Sequence, residues 1–359
     1  MILLILSILI ILLGFKYPSS RKITILILAF MWILYGFNDA NGDYINYYYD
    51  YLKIGRGDFL SFSFSEEGYI IIAYFCSKFL HMTYQHFVIL TAAVSTIMLG
   101  YVVCHFTPRP NTALVLFMLN PYWMMICQTR FYMAFLFVLV GYALLSKYEG
   151  KKGIILFFVF VIISGFFHRT GWLCIILLLS RVKSKKIIGW LMVIMAFLVT
   201  LFRTPLGMRI AGRYISDRKV EVWLAVDAHR SALGIILLIL IHLAIMFTAI
   251  YLNRRLEVKN YISSQTSYLL IGVVLMMTFL PMECIDKNYE RFFRFSLLFV
   301  YMLYGHFKEV YVTKLRAMPI GNIMLTGCLL SYYAFFYVSF SGWFEHNLIP
   351  ILESNILIP

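Results

Sequence analysis

The chain has 359 residues, of which 62% are hydrophobic and only 13% are charged, and its mean hydropathy is +0.83. An average soluble domain is about 45–50% apolar and about 25% charged. This composition excludes a soluble globular enzyme, a disordered chain and a nucleic-acid-binding module. The formal charge of +14 is typical of a membrane protein whose cytoplasmic loops are rich in lysine and arginine.

Long apolar runs follow one another along the chain. A bilayer core about 30 Å thick needs about 20 apolar residues for one helical crossing, and the runs lack the alternation of barrel strands. We therefore predict an all-α, polytopic integral membrane protein with about twelve transmembrane helices in one domain, 1–359. The predicted spans are 2–15, 22–37, 84–106, 111–127, 130–147, 153–167, 170–181, 186–203, 231–253, 264–281, 292–312 and 320–341.

Basic residues between the spans set the orientation, because short cytoplasmic loops are enriched in Lys and Arg. The basic clusters lie at 16–22, 147–152, 181–186, 254–259 and 308–316. All five face the cytoplasm only if the short apolar segment 67–80, about 21 Å long as a helix, does not cross. We predict a re-entrant or interfacial helix there; the alternative is a tilted crossing with one cluster that breaks the rule. The predicted outer loops are 38–66, 204–230 and 282–291, and both termini are predicted to lie outside.

Several arginines fall on the predicted outer side, against the positive-inside expectation. Arg130 opens the span 130–147, and a charge near the apolar zone usually faces a cavity or a partner. A guanidinium fork suits phosphate or diphosphate. The sequence therefore predicts an anionic ligand near Arg130. The alternative is a side chain that only extends its guanidinium to the membrane–water interface.

Two arginine pairs extend the prediction of an anionic ligand. Arg209 and Arg213 are four residues apart, so a helix places both on one face. Arg291 and Arg294 lie at the start of a span, where a helix N-terminus already attracts anions. Each pair also has a structural interpretation, as partners of the nearby carboxylates Asp217, Asp286 and Glu290.

Side chains suited to proton transfer and sugar binding fall on the same side. His168, in the turn between two short spans, has a side chain that exchanges protons near neutral pH; the alternative is a hydrogen-bonded turn residue. Asp43 and Glu67 are candidate general bases. The outer loop is rich in tyrosine, including Tyr44, Tyr47 and Tyr48, which fits sugar binding or a membrane-interface belt.

The sequence lacks the usual motifs for cofactor and metal chemistry. No nucleotide-binding loop, zinc-protease motif or serine-hydrolase motif is present, and the six cysteines are scattered without a CxxC pair. We expect no cofactor and no metal ion.

The order of short motifs resembles the EpsG-like branch of the Wzy-type bacterial polysaccharide polymerases. The motifs are D-Y-x-x-Y-Y from Asp43, E-E-G-Y from Glu66, Arg130 at the start of a span, F-F-H-R-T from Phe166, R-Y at Arg213 and Tyr214, and E-R at Glu290 and Arg291. The resemblance covers roughly residues 20 to 310.

The resemblance implies a metal-independent membrane glycosyltransferase with a GT-C-like architecture in the bacterial cytoplasmic membrane. Such enzymes move a growing glycan from undecaprenyl diphosphate onto an incoming undecaprenyl-diphosphate-linked repeat unit at the outer leaflet, and a chain-length regulator is a possible protein partner. The product would be a capsule, an exopolysaccharide or an O-antigen.

The expected roles follow from this reaction. We assign diphosphate binding to Arg130, Arg213 and Arg291, then Arg209 and Arg294, since fixed positive charge stabilises the leaving group. The proton acceptor is His168, with Asp43 or Glu67 as alternatives. The expected sugar-binding residues are Tyr44, Tyr47, Tyr48 and Tyr214.

Three other functions stay open at the level of sequence. An O-antigen ligase uses the same donor with another acceptor. A transferase that uses a polyprenyl monophosphate sugar needs fewer cations. A lipid-linked oligosaccharide flippase needs charges along a path through the membrane, whereas the arginines here gather at one predicted face.

Overall fold

The computed structural model describes residues 2–58, 66–182, 232–283, 287–311, 318–339 and 344–358, with short pieces of 189–201. The regular elements among these residues are helices, and Asn38 and Asn355 form an isolated antiparallel bridge. The prediction of an all-α protein is therefore confirmed.

We number the α-helices in chain order. They are α1 (Ile2–Lys16), α2 (Arg21–Gly36), α3 (Tyr44–Gly55), α4 (Glu67–Lys78), α5 (Tyr84–Phe106), α6 (Pro110–Leu119), α7 (Tyr122–Cys127), α8 (Thr129–Lys147), α9 (Gly150–Phe167), α10 (Thr170–Leu173), α11 (Ala232–Glu257), α12 (Ser264–Met277), α13 (Leu280–Glu283), α14 (Arg291–Tyr311), α15 (Met318–Ser339) and α16 (Ile349–Glu353). Two 3₁₀ segments, Cys174–Arg181 and Lys287–Glu290, and a π-helical turn, Phe344–Leu348, complete the described elements.

Four helices in the described part of the chain are long and apolar enough to cross a membrane. They are Tyr84–Phe106, Thr129–Lys147, Gly150–Phe167 and Ile236–Glu257. Shorter apolar helices of 10–17 residues include Ile2–Lys16 and Ser264–Met277. The total of about twelve spans and the GT-C-like arrangement stay predictions.

The predicted span 111–127 is not one helix. Helix α6 ends at Leu119 and α7 begins at Tyr122, with Asn120 in an extended conformation (φ −165°, ψ 130°) between them. Pro121 causes the break, because proline lacks an N–H donor and disfavours helical geometry in the preceding residue. Gln128 then separates α7 from α8, so α8 begins anew and Arg130 lies in its first turn.

The predicted outer loop 38–66 contains a helix of its own. Helix α3 occupies Tyr44–Gly55, and α4, at Glu67–Lys78, follows residues 59–65, which lie outside the described part. Each helix has 12 residues and is about 18 Å long. Neither is long enough to cross a bilayer core of about 30 Å.

The chain divides into two compact units, which we describe separately. Unit 1 comprises 1–178, 304–310 and 340–359, and unit 2 comprises 179–303 and 311–339. Helix α14 contributes to both. The predicted organisation as one membrane domain stays a prediction.

In unit 1, helices α2 and α5 meet at the end where α2 finishes. The Gln85 side-chain amide, at the start of α5, donates a 2.7 Å hydrogen bond to the carbonyl of Gly36, the last residue of α2. The start of α5 therefore lies beside the end of α2. The non-crossing helix predicted at 67–80 requires this geometry, and it stays a prediction.

The opposite end of unit 1 gathers basic residues. The Asn111 amide donates to the Tyr17 carbonyl at 2.6 Å, and the rings of His105 and His306 hydrogen-bond Ser146 and the Phe106 carbonyl, each at 2.7 Å. These contacts join the ends of α1, α5, α6, α8 and α14. The basic side chains at or beside this end are Lys16, Arg21, Lys22, Arg109, Lys147, Lys151, Lys152 and Lys308. This is the charge distribution that the positive-inside rule predicts for a cytoplasmic face.

Candidate functional site

Arg130 lies between two tyrosine rings and one carboxylate, at the end of unit 1 opposite the basic residues. Its guanidinium carbon is 4.7 Å from the centroid of the Tyr47 ring and 5.6 Å from that of Tyr69. Its Nη1 forms a salt bridge with Glu66. Cations over aromatic faces are attracted by the ring quadrupole, so the two rings hold the guanidinium in place. We call Arg130, Tyr47, Tyr69 and Glu66 the arginine clasp.

The arginine clasp is only partly closed to solvent. The Arg130 side chain keeps 27% of its surface exposed, and that of Glu66 keeps 18%. A part-exposed ion pair contributes little to stability.

Helices α3 and α4 bring the tyrosines together. The two helices pack against each other, with the Tyr47 and Tyr69 ring centroids 6.1 Å apart. A Cβ at Gly68 would lie 2.9 Å from the Cβ of Phe166, so only glycine allows this approach between α4 and the end of α9. The first turn of α4 is thus fixed beside both α3 and α9.

The Tyr47 hydroxyl stays protonated at physiological pH. Burial raises the pKa of Tyr47; the positive charge and hydrogen bond of Arg130 oppose this, while the negative charges of Asp43 and Glu66 add to it. A protonated hydroxyl donates a hydrogen bond, which suits a sugar or phosphate oxygen. Asp43, the residue before α3, is half-buried and lies within electrostatic reach of Tyr47.

His168 lies at the same end of the α8–α9 hairpin as Arg130. It follows the last residue of α9, and its ring packs edge-on against Phe131, with centroids 5.5 Å apart. The ring Nδ1 is 2.7 Å from the Thr170 hydroxyl and accepts a 3.3 Å hydrogen bond from the Thr170 backbone N–H. The structure thus brings Arg130, Asp43 and His168 to one end of unit 1.

The other predicted side chains of unit 1 lie at the edge of this region. Glu67 is exposed, whereas its neighbour Glu66 reaches Arg130. The Tyr44 hydroxyl donates to Gln85 at 2.8 Å, and its ring packs on Tyr84. Tyr48 is exposed on one side and also packs on Tyr84.

The remaining predicted residues belong to unit 2 or lie outside the described part. Arg291 begins α14 and is half-buried. Arg294 is fully buried and forms a salt bridge with Glu290 four residues earlier; this is the ion pair of the structural interpretation. Arg209, Arg213 and Tyr214 lie outside the described residues.

Sequence reasoning gave no role to two residues of the clasp. Glu66 and Tyr69 both belong to the E-E-G-Y motif, and the choice between two adjacent carboxylates depends on where α4 begins. The boundary before Glu67 leaves Glu66 ahead of the helix, where it can turn toward Arg130. Tyr69 lies three residues after Glu66 and is buried.

A family model described as EpsG family matches residues 21–350, which include all of the site described above. The chain belongs to the EpsG family. No curated protein and no solved structure matches it.

In this EpsG-family chain, the C-terminal segment supports the loop that leads to Asp43. The Asn38 side chain donates to the Ser354 carbonyl at 2.9 Å and accepts from the Asn41 amide at 3.0 Å. Asn41 in turn accepts from the backbone N–H of Asp43 at 3.2 Å. The Asn355 side chain completes the contact with a 3.1 Å bond to the Ile33 carbonyl.

A buried polar cluster in unit 2 was not predicted. His242 Nε2 lies 3.1 Å from a Glu283 carboxylate oxygen, and the Tyr332 hydroxyl lies 3.4 Å from Glu290. Glu290 also forms the salt bridge with Arg294, so each of the two carboxylates is paired with one basic side chain. Among the described residues, no group of three His, Cys, Asp or Glu side chains is arranged to hold a metal ion.

Proposed function

We propose that this EpsG-family protein is a polysaccharide polymerase. It transfers a growing glycan from undecaprenyl diphosphate onto an incoming undecaprenyl-diphosphate-linked repeat unit at the outer leaflet of the bacterial cytoplasmic membrane. Family membership over residues 21–350 supports a role in polysaccharide polymerisation. The arginine clasp supports a diphosphate leaving group and is the observation on which the proposal depends.

The clasp has the chemistry that a diphosphate requires. The Arg130 guanidinium offers paired N–H donors to two oxygens of a phosphate, while Tyr47 and Tyr69 fix its orientation. The donor diphosphate replaces Glu66 as the partner of Arg130. Because the donors are already oriented, they stabilise the charge that develops on the leaving oxygen.

The transfer itself is a displacement at the anomeric carbon. The acceptor hydroxyl oxygen forms the new glycosidic bond, the bond to the lipid diphosphate breaks, and the diphosphate leaves with the bonding electrons. The acceptor proton goes to a base at this end of unit 1, with Asp43, Glu67 and His168 as the predicted bases and Glu66 as the carboxylate that substrate binding releases. Attack opposite the leaving group inverts the anomeric configuration.

Further diphosphate contacts from Arg213, Arg291, Arg209 and Arg294 stay predictions, as do sugar contacts from Tyr44, Tyr48 and Tyr214. Arg294 has the weakest support, because it is buried against Glu290. The proposal also includes the outward orientation of the clasp, which the basic residues at the opposite end of unit 1 support. A chain-length regulator is a candidate protein partner.

The test is the size distribution of lipid-linked and surface glycan in a strain that lacks the gene. We expect single repeats only, and a restored ladder on complementation with wild type but not with Arg130→Ala or His168→Ala. Arg109→Ala is the matched control, since Arg109 pairs with Glu309 at the opposite end of unit 1, and it should restore the ladder.

Other results would favour the other functions. Long chains that accumulate on undecaprenyl diphosphate in the deletion strain would indicate a ligase. Repeats that never reach the outer leaflet would indicate a flippase. A product linkage with the anomeric configuration of the donor would contradict inversion.

A further inference from the structure

The turn after α9 fixes both the backbone and the ring of His168. The His168 N–H donates to the Ser164 carbonyl at 2.9 Å, and its own carbonyl accepts from the Gly171 N–H at 2.8 Å. The Thr170 backbone N–H, at the start of α10, points at Nδ1 of the imidazole at 3.3 Å. Because a backbone amide can only donate, Nδ1 must be the acceptor in this bond.

A further contact agrees with this assignment. The Thr170 hydroxyl is 2.7 Å from the same Nδ1, and a hydroxyl can rotate to donate. A hydrogen on Nδ1 would instead face the Thr170 backbone N–H, which is a repulsive contact. A neutral imidazole with an unprotonated Nδ1 carries its hydrogen on Nε2.

We propose that Thr170 is a positioning residue that holds His168 as the Nε2–H tautomer. In this tautomer His168 donates a hydrogen bond to the diphosphate, and it does not accept the proton of the acceptor hydroxyl. The inference rests on the proposed function, because it names the role of one side chain in that reaction. It replaces the sequence-based assignment of His168 as the base.

The proton balance of the transfer reaction is consistent with a hydrogen-bond donor at His168. The diphosphate leaves as a stable anion, so no proton has to pass from His168 to the leaving oxygen. The Nε2–H bond strengthens as negative charge develops on that oxygen. The acceptor proton goes to a carboxylate, for which Asp43 and Glu66 are the half-buried candidates at this end of unit 1.

The tautomer can be measured without any assay of activity. The full-length protein is labelled with ¹⁵N-histidine and reconstituted in lipid nanodiscs. The chain has eight histidines, and the His168 signals are those missing from His168→Gln. We expect an Nδ1 without hydrogen and an Nε2 with hydrogen near neutral pH. An Nδ1 that carries hydrogen would overturn the proposal.

The role is tested by the initial rate of polymer formation in membranes of the complemented strain. In His168→Gln the side-chain amide nitrogen takes the place of Nε2–H, so we expect a rate within about tenfold of wild type. In His168→Asn the amide is too short, and we expect a loss of about 100-fold. Equal losses in the two variants would contradict a donor role.

Thr170 is tested in the same way. Thr170→Val removes the hydroxyl but keeps the backbone N–H, so we expect a loss of up to about tenfold; Thr170→Ser should restore the rate. If Thr170→Ser behaves like Thr170→Val, Thr170 has only a packing role. If the deletion strain keeps its ladder, the proposed function fails, whereas the measured tautomer still decides the assignment of Thr170.

Discussion

Two arginine–glutamate pairs in this protein have the same chemistry in opposite surroundings. Arg130 and Glu66 come from separate helices of unit 1, and their side chains keep 27% and 18% of their surface exposed. Arg294 and Glu290 are one helical turn apart in unit 2, and their side chains are 0% and 4% exposed. In the proposed function, the part-exposed pair exchanges its carboxylate for a substrate anion. The buried pair is closed to solvent, so its main effect is on stability.

The first prediction concerns the buried pair and has the largest expected effect. Arg294→Ala leaves the Glu290 carboxylate buried without its charge partner, so the free energy of unfolding should fall by about 3–5 kcal/mol. Thermal unfolding in detergent, followed by tryptophan fluorescence, measures the change. The double variant Glu290→Leu with Arg294→Met should recover most of it, because an apolar pair of similar volume removes both charges. Wild-type stability in Arg294→Ala would contradict a structural role.

The second prediction concerns the part-exposed pair, Arg130 and Glu66. Arg130→Lys keeps the charge but loses the planar fork and the stacking between Tyr47 and Tyr69. We expect about a 100- to 1,000-fold loss in the rate of polymer formation, with thermal stability close to wild type. Arg109→Lys, the same substitution at the opposite end of unit 1, should leave the rate unchanged. A large loss of stability in Arg130→Lys would show that Arg130, like Arg294, has a mainly structural role.

The third prediction tests the exchange of Glu66 for an anion. Glu66→Gln keeps the shape of the side chain but removes the charge that competes with a ligand. Inorganic pyrophosphate should bind this variant up to about fivefold more tightly than wild type, the range for one part-exposed charge. The shift in thermal unfolding with pyrophosphate concentration gives the affinity. Glu67→Gln, at the exposed neighbouring position, is the matched control, and an equal gain there would argue against a specific role for Glu66.

The fourth prediction, with the smallest effect, concerns pH. Burial raises the pKa of Tyr47 above its ordinary value of about 10. The folded protein therefore holds this proton more tightly than the unfolded chain does. The stability from this group is complete below about pH 10 and is lost as the pH rises toward the raised pKa.

Thermal unfolding between neutral and strongly alkaline pH checks this sign. Tyr47→Phe should lose stability less steeply above pH 10 than wild type, because the buried phenol is absent. Tyr49→Phe, at an exposed position of the same helix, is the matched control. A steeper alkaline loss in Tyr47→Phe would contradict the sign of the shift.

The helical part of the fold was predictable wherever hydrophobicity alone defines the element. The helices at Tyr84–Phe106, Thr129–Lys147 and Gly150–Phe167 begin and end within a few residues of their predicted spans, because about 20 apolar residues are needed to cross a bilayer. The break at Pro121 was missed, since the residues around it are as apolar as a continuous span. Helix α3 was missed because its tyrosines and carboxylates have the composition of a loop.

The candidate site was predictable in kind but not in its contacts. Arg130 was identified because a charge at the apolar boundary needs an explanation. The choice of Glu66 over Glu67, and the role of Tyr69, depend on the start of α4 and its packing against α3. Glu283, the buried partner of His242, lies in a distant segment of the chain. Glu290, the buried partner of Arg294, depends on a helical register that the sequence left open.

The amino-acid sequence was enough to predict the class of the protein, its long apolar helices and the helix ends that carry charge, because hydropathy and charge act locally along the chain. Which charges meet depended on the packing of the helices. It paired Arg130 with Glu66 between two tyrosines, buried Arg294 against Glu290, and turned Nδ1 of His168 toward Thr170. These outcomes depend on distances between side chains that only packing can set.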